Sequence, residues 1–292
     1  MSDFVSNFWR RKILFVSGKG GVGKTTVSQA VALGLSEQGK RTLWITFDDP
    51  FRTPGERTQH GPNLWHVNVT TATAFEEYMT QKIKVKTLAK LFVNNSLIQY
   101  ITQAAPGVHE LVLLGKVWWE RKNYDHVVVD MPSTGHGLAM FQSTDNFSKL
   151  FRGGAAREDA EAMLRTFGDP KESGTLIVAL AEEMPLRESL ELAEIWQRLF
   201  PDSVPHYIVN RRFPDVPAPA DAVKDPDDWK SPVAASARDY VEKRAQLEKF
   251  NLLLWQERKI PYQSLSFSLK RDHGGIVRDV CGGLLKPTGG SA

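Results

Sequence analysis

The stretch that decides the fold lies near the start of the chain and reads ILFVSGKGGVGKTT over residues 13–26. It opens with a compact apolar run, which predicts a buried strand. Glycine-rich sequence follows, and apolar residues at helical spacing then predict a helix over about residues 24–38. Residues 18–25, called the phosphate loop below, fit the pattern G-x-x-x-x-G-K-[ST]. A position between a strand and a helix is the context that this pattern needs for phosphate binding.

The phosphate loop has the chemistry of a nucleotide site. Its glycines let the backbone curl so that several N–H groups point at one anion, and the following helix adds the positive end of its dipole. Lys24 is expected to reach the β- and γ-phosphates, while the hydroxyl of Thr25 is expected to hold Mg²⁺. The residues predicted to contact the nucleotide are Gly20, Gly21, Val22, Gly23, Lys24, Thr25 and Thr26.

Strand and helix signals alternate along the rest of the chain. Short apolar runs predict strands at residues 42–47, 64–69, 126–129, 175–179, 206–209 and 262–267, and helical patterns fall at 74–92, 109–121, 186–200 and 235–258. Buried strands separated by helices indicate an α/β fold of the P-loop NTPase class, with a mostly parallel central sheet flanked by helices on both faces. We expect a single domain over residues 1–292, with a proline-rich surface loop at 211–232 and a frayed tail at 286–292.

Composition and charge exclude several classes of protein. The 292 residues include 37 Lys and Arg against 34 Asp and Glu, a formal net charge of +3, so no nucleic-acid partner is expected. The single cysteine, Cys281, excludes a disulfide within the chain and an all-cysteine metal site built by one chain, and it fits a cytoplasmic setting. No apolar stretch reaches the roughly 18 residues of a membrane helix, so stable membrane insertion is not expected.

Aspartates follow two of the predicted strands, at the positions where open α/β sheets bind their ligands. Asp48 and Asp49 come after the second strand, and Asp130 comes after the run of three valines that ends the fourth. An aspartate after a buried apolar strand is the Walker B arrangement, which holds Mg²⁺, usually through water. We therefore predict Thr25 and Asp130 as the magnesium residues.

Several short motifs carry a resemblance to a known family. Lys19 gives the phosphate loop the form K-G-G-x-G-K-[ST], which resembles the deviant Walker A loop of the MinD/ParA-like P-loop superfamily. Residues 130–138, DMPSTGHGL, resemble the switch II segment D-T-A-P-T-G-H-x-L of the arsenite-pump and tail-anchored-protein-targeting ATPases. Residues 106–110, PGVHE, are similar to P-G-I-D-E of that branch, and residues 63–69 and 75–78 are similar to its third strand and next helix. The chain therefore resembles the ArsA/Get3-type ATPases over most of its length.

The resemblance implies an ATP-hydrolysing molecular switch that closes on Mg-ATP as a dimer, with either a second copy of the chain or a paralogue. In that family the extra lysine, here Lys19, reaches the partner's nucleotide. An Asp-Pro after the second strand, here Asp49 and the proline that follows it, positions the attacking water. Counting from the strand favours Asp48 instead, so the choice between the two aspartates stays open at this point. We take Lys19, Lys24 and Asp49 as the predicted catalytic residues.

The predicted base is adenine. In the resembling family an asparagine at the end of a late strand hydrogen-bonds the adenine, and Asn210 stands at that place. A GTPase would carry N-K-x-D there, whereas this chain reads NRRF over residues 210–213 and lacks the aspartate. ATP and Mg²⁺ are therefore the predicted cofactors.

The usual cargo sites of the family are missing from this sequence. The metalloid site needs several cysteines, the zinc site of the dimer needs C-x-x-C, and the client groove needs methionine-rich helices. Residues 141–173 are charged and contain only Met163, so an adaptable methionine-lined groove is not expected there. The predicted partner is an unknown protein client. Two alternatives stay open: a MinD/ParA-like positioning ATPase acting on a membrane or DNA surface, and a P-loop enzyme that phosphorylates or ligates a small molecule.

Overall fold

The computed structural model describes residues 8–83, 107–150, 153–213 and 231–285, with residues 82, 83, 134, 135 and 285 described by their backbone alone. The strands in these ranges are β1 (Ile13–Gly18), β2 (Thr42–Phe47), β3 (Arg57–Gly61), β4 (Leu64–Val69), β5 (His126–Asp130), β6 (Ser173–Leu180), β7 (His206–Arg212) and β8 (Tyr262–Ser266). The helices are α1 (Lys24–Glu37), α2 (Thr71–Ile83), α3 (Val108–Glu120), α4 (Thr134–Leu150), α5 (Ala155–Gly168), α6 (Glu183–Leu199), α7 (Pro232–Glu257) and α8 (His273–Leu285).

The described strands form one sheet in the order β3-β4-β2-β5-β1-β6-β7-β8. Every neighbouring pair is parallel except β3 and β4, so the predicted α/β class and mostly parallel sheet are confirmed. The sequence did not predict β3. Its residues are polar and mostly exposed at the edge of the sheet, so they show no alternation between apolar and polar positions.

Helices cover both faces of the sheet, as predicted. Successive residues of a strand point to opposite faces, so Leu14 and Phe15 of β1 belong to different cores. Leu14 packs with Trp44 in a core that α1 and α8 cover. Phe15 packs with Trp196 in a larger core on the other face, which α3, α4, α5 and α6 cover. A smaller cluster around Trp255 joins α7 to β6 and β7.

The predicted surface loop at 211–232 is too long at both ends. Arg212 and the residue before it belong to β7, where Arg212 pairs with β8 after a shift in register. Pro232 begins α7, and the hydroxyl of Ser231 caps this helix. Proline suits the first helical position because its missing N–H has no partner to lose there. Outside the described residues lie the rest of that loop (214–230), the predicted tail (286–292), and the part of the predicted helix 74–92 that follows residue 83.

The strand order decides where a site can form. Parallel strands end at one edge of the sheet, and β1 lies between β5 and β6 near its centre. The ends of β1, β2, β5 and β7 therefore meet at this edge, which is where open α/β sheets bind ligands. Helices α4, α5 and α8 were not assigned from the sequence. A single domain over residues 1–292 stays a prediction.

None of the described helices is both long enough and apolar enough to span a membrane.

Candidate nucleotide site

The phosphate loop joins β1 to α1 and needs glycine at two of its positions, 18 and 23. Gly18 has a φ of 146°, and a Cβ atom there would overlap the carbonyl oxygen of Val178 on β6. Gly23 has a φ of 93° and caps α1, and a Cβ atom there would stand 2.5 Å from Nδ2 of Asn210. The loop between them lies at the N-terminus of α1, where backbone N–H groups and the helix dipole favour an anion.

Lys24, Thr25 and Asp130 come together beside the phosphate loop. Asp130 ends β5 and pairs with Val16 of β1, and the side chain of Thr25 lies near enough to its carboxylate to lower the pKa of Asp130. Burial lowers the pKa of Lys24, and the negative charge of Asp130 partly offsets this effect. Lys24 Nζ donates to the carbonyl oxygen of Lys19, 2.9 Å away, so the side chain of Lys24 lies across the loop.

Asp130 has the chemistry of a magnesium residue. Its Oδ1 is buried and makes no hydrogen bond within the described part of the chain. Burial raises the pKa of Asp130 to about 6, with a further contribution from the charge of Asp49, although the side chain of Thr25 and the charge of Lys24 act in the opposite direction. A carboxylate oxygen and a hydroxyl oxygen are the hard ligands that Mg²⁺ prefers. Thr25 and Asp130 therefore fit the predicted ion.

The two aspartates after β2 have different environments. Asp48 is exposed and has a φ of 48°, while Asp49 is half-buried. Asp49 Oδ1 accepts from the backbone N–H of Phe51 at 2.9 Å, and Asp49 Oδ2 lies 3.2 Å from Nε of Arg52. The charge of Asp49 acts on Asp130. Of the two aspartates, Asp49 is the one whose carboxylate is held in place, and its catalytic role stays a prediction.

Lys19 forms an ion pair with Glu188 of α6. The side chain of Lys19 is 44% exposed, and Glu188 Oε2 is buried without a hydrogen bond among the described residues. The two residues are 169 positions apart in the chain, so no local pattern could have revealed the pair. Lys19 is thus engaged within its own chain, and its reach to a partner's nucleotide stays a prediction.

Asn210 and Arg211 hold the phosphate loop from the end of β7. Asn210 Nδ2 donates to the carbonyl oxygen of Val22 at 2.9 Å, and its Oδ1 accepts from the backbone N–H of Arg211. One amide hydrogen and one lone pair of Asn210 are left for a base. Arg211 has a φ of 54°, and its Nη1 lies 3.3 Å from the carbonyl oxygen of Gly21. The adenine contact predicted for Asn210 stays a prediction, and Arg211 was not singled out from the sequence.

Comparison with known proteins identifies the family. The profile of the anion-transporting ATPase family matches residues 11–157, which is half of the chain. The chain belongs to this family. It is similar to ATPase BagA of Mycobacterium tuberculosis (strain ATCC 25618 / H37Rv), with 27% identity over 236 residues that cover 73% of this chain and 68% of the relative.

Two further relatives match a shorter part of this anion-transporting-family ATPase. The putative arsenical pump-driving ATPase 2 of Aquifex aeolicus is 32% identical over 154 residues, 48% of this chain and 51% of the relative. The ATPase ASNA1 homolog of Plasmodium berghei is 30% identical over 148 residues, 47% of this chain and 37% of the relative. The resemblance to the ArsA/Get3-type ATPases and the ATPase activity predicted from the sequence are confirmed.

The structure of this anion-transporting-family ATPase gathers the predicted site residues at one edge of the sheet. Those of the β1–α1 connection and of the first turn of α1 are Gly20, Gly21, Val22, Gly23, Lys24, Thr25 and Thr26. The side chain of Val22 is buried in the core, so only its backbone can face a ligand. Residue 106 of the family-like segments, and the side chains of residues 134 and 135, lie outside the described part. The sequence missed Asn68, Glu188 and Arg211, which contact the site from elements distant in the chain.

Proposed function

We propose that this ATPase is a dimeric molecular switch that closes on Mg-ATP and thereby binds and releases a protein partner. The observation that carries the proposal is the group of Lys24, Thr25 and Asp130 at the phosphate loop, with the buried Oδ1 of Asp130 left without a hydrogen bond among the described residues. Lys24 offers a positive charge to the phosphates, while Thr25 and Asp130 offer two hard oxygen ligands to Mg²⁺, and a nucleoside triphosphate with Mg²⁺ requires both.

Each residue of the site has a proposed part. The backbone of the phosphate loop and Lys24 bind the β- and γ-phosphates, because both present positive charge to the same place. Thr25 and Asp130 would hold Mg²⁺, which neutralises charge that develops on the phosphate oxygens. Asp49 orients the attacking water, and Asn210 reads the adenine with the amide hydrogen and lone pair that it keeps.

The second subunit is proposed to supply Lys19. Lys19 lies at an exposed position of the phosphate loop and pairs with Glu188, so it is free to exchange one carboxylate for another anion when a second chain approaches. Phe51 follows the Asp49-Pro50 dipeptide and is 94% exposed, which offers an apolar contact to a second chain next to the site. The second subunit is a copy of this chain or a paralogue.

Release of the partner is proposed to follow loss of the γ-phosphate. Asp49 begins the segment after β2, and Asp130 begins the segment that leads into α4. Both segments start at residues that act on the same phosphate, so each loses a contact on hydrolysis. Order and disorder of such segments is the common way in which nucleotide switches change partners. A cytoplasmic location belongs to the same proposal, supported by the single, buried Cys281.

Molecular mass in solution tests the dimer. We expect light scattering to give a monomer without nucleotide and a dimer with Mg-ATP, and we expect Lys24→Ala to remain a monomer in both conditions. Lys40→Ala is the matched control because Lys40 is exposed before β2, at the opposite edge of the sheet. A wild-type chain that binds Mg-ATP and remains a monomer, alone and with its co-purifying proteins, would refute the dimer. A surface-positioning role would instead appear as ATP-dependent sedimentation with DNA or lipid vesicles.

Mixing two inactive variants tests whether Lys19 acts across the dimer. Lys19→Ala keeps Asp49, and Asp49→Asn keeps Lys19, so each mixed dimer has one complete site only if Lys19 comes from the other chain. Random pairing of equal amounts then restores about a quarter of the wild-type activity per chain. If Lys19 acts within its own chain, no mixed dimer has a complete site, and the mixture stays as inactive as either variant alone.

A further inference from the structure

Asn68 lies on β4, and its side-chain amide is buried, since the residue is only 1% exposed. All of the amide's hydrogen bonds go to β2 and to the chain around Asp49. Its Nδ2 donates to the carbonyl oxygen of Asp49 at 2.8 Å and to that of Arg52 at 2.9 Å. Its Oδ1 accepts from the backbone N–H of Asp49 at 3.0 Å and from Oγ1 of Thr46 at 3.5 Å. An amide has two donor hydrogens and two lone pairs, and all four are used here.

The backbone of Asn68 holds the other end of the same segment. The N–H of Gly55 donates to the carbonyl oxygen of Asn68 at 2.8 Å, and Pro54 forms a parallel bridge with Asn68. Residues 49–55 are therefore attached to β4 at both ends by one residue. A carboxylate at position 68 would offer no hydrogens to the two carbonyl groups, and an apolar side chain would leave the groups buried without partners.

The carboxylate of Asp49 is oriented by a second set of contacts, to which β4 contributes His66 and β2 contributes Trp44. Arg52, which holds Asp49 Oδ2, has its Nη1 3.4 Å from Nδ1 of His66 and its guanidinium 5.0 Å from the ring centre of Trp44. Burial, followed by the charge of Arg52, lowers the pKa of His66 to about 4, so its ring is uncharged at neutral pH and can accept from Arg52. Asn68 thus fixes the backbone of Asp49, while Arg52 fixes its side chain.

We propose that Asn68 is the positioning residue for Asp49, so that it sets the rate of hydrolysis without contacting the nucleotide. The inference rests on the proposed function, because it takes Asp49 as the residue that orients water. Asn68 lies on β4, and two strands separate β4 from β1 and its phosphate loop. Its removal therefore changes the place of Asp49 and leaves the phosphate contacts unchanged.

Steady-state kinetics of Asn68→Ala test this. A carboxylate displaced by about 1 Å costs up to about a hundredfold in rate, so we expect kcat to fall by roughly 10- to 100-fold. The dissociation constant of a slowly hydrolysed ATP analogue is expected to stay within about twofold of the wild-type value, because no phosphate contact is lost. If Asn68→Ala does not fold, Asn68→Ser keeps one donor in the same space and takes its place with the same expected pattern.

Gln263→Ala is the matched control. Gln263 on β8 is also a buried amide, and its Nε2 donates to the carbonyl oxygens of Gly283 and Leu284, both at 3.1 Å. Gln263→Ala therefore removes a buried amide that binds two backbone carbonyl groups, as Asn68 does, but at a place far from Asp49. We expect Gln263→Ala to lower the melting temperature to a similar extent as Asn68→Ala and to leave kcat unchanged. A fall in kcat that merely follows stability would appear in both variants.

A double-mutant cycle with Asp49→Asn decides whether Asn68 acts through Asp49. Once Asp49→Asn has removed the carboxylate, adding Asn68→Ala is expected to change the residual rate of hydrolysis, measured as a single turnover at high enzyme concentration, by less than about twofold. An undiminished loss in the Asp49→Asn background would overturn the inference, as would wild-type kcat in Asn68→Ala. Wild-type turnover of Asp49→Asn alone would refute the role of Asp49 and the inference together. Failure of the wild-type chain to bind Mg-ATP would refute the proposed function at its base.

Discussion

Replacing Asp130 by asparagine tests what it costs in folding stability to bury the carboxylate that is proposed to bind Mg²⁺. Burial moves the pKa of Asp130 from its ordinary value of 3.8 to about 6. A difference of about two pKa units corresponds to about 3 kcal/mol, and the attraction of Lys24 is already contained in it. The new amide nitrogen loses part of its hydrogen bonding, which costs about 1–2 kcal/mol. We expect Asp130→Asn to stabilise the nucleotide-free protein at pH 8 by about 1–2 kcal/mol.

The gain in stability of Asp130→Asn depends on pH, and the raised pKa of Asp130 sets the direction of that dependence. Below pH 3.8 Asp130 is protonated in both the folded and the unfolded chain, so its charge costs nothing. Between 3.8 and about 6 the folded chain retains a proton that the unfolded chain has lost, so the stability of the wild-type protein falls as the pH rises. Well above pH 6 Asp130 is ionised in both the folded and the unfolded chain, so the wild-type protein bears the full cost of burying this charge. The advantage of Asp130→Asn is therefore expected at pH 8 and lost near pH 4.

Urea unfolding followed by tryptophan fluorescence measures this difference without nucleotide. Asp202→Asn is the control, because Asp202 is exposed and its replacement is expected to change stability by less than about 0.5 kcal/mol. Mg-ATP gives a second readout: it should raise the stability of the wild-type protein and have little effect on Asp130→Asn. An Asp130→Asn variant that is less stable than the wild-type protein at pH 8, or a stability difference that is the same at both pH values, would contradict this cost of burial.

Three further substitutions follow from contacts in the structure. Glu188→Gln frees Lys19 from its ion pair, so sedimentation with Mg-ATP should give a dimer dissociation constant about 2- to 5-fold lower; an unchanged constant would contradict this. Gly18→Ala forces a Cβ atom against the backbone of β6 and should lower the unfolding free energy by roughly 2–4 kcal/mol, with a wild-type melting temperature as the contrary result. Lys116→Met removes one ion-pair partner of Glu120, which is 1% exposed. The free energy of unfolding in urea at pH 7 should fall by about 3 kcal/mol. A fall below about 1 kcal/mol would mean that Arg57 alone compensates the charge of Glu120.

The predictable part of the fold consists of the elements with strong local signals. The strand predicted at 64–69 has the same bounds in the structure, because its apolar residues and its neighbours on both sides mark it clearly. The strand predicted at 206–209 continues to Arg212 in the structure. The sequence missed this extension because the charged residues after Asn210 have no apolar pattern, and their place in the strand comes from pairing with β8. Helix α4 begins where the sequence suggested only a family-like segment.

The candidate site likewise has a part that could be predicted from the sequence and a part that could not. The phosphate loop and Asp130 could be predicted because each follows a buried strand directly, and parallel strands bring such ends to one edge. The choice between Asp48 and Asp49 depends on which carboxylate is held, and the bonds from Phe51 and Arg52 appear only when the chain after β2 is folded.

The sequence by itself determined the strand–loop–helix unit at the phosphate loop and the α/β class, because both follow from short-range spacing of glycines, apolar residues and charges. Only the tertiary structure decided what surrounds that unit. Glu188 holds Lys19 and Asn68 holds the chain around Asp49, and both contacts join strands and helices that are far apart in the chain. Hydrogen bonds and ion pairs of this kind depend on distances of about 3 Å between side chains, and those distances exist only after the sheet has set the order of its strands.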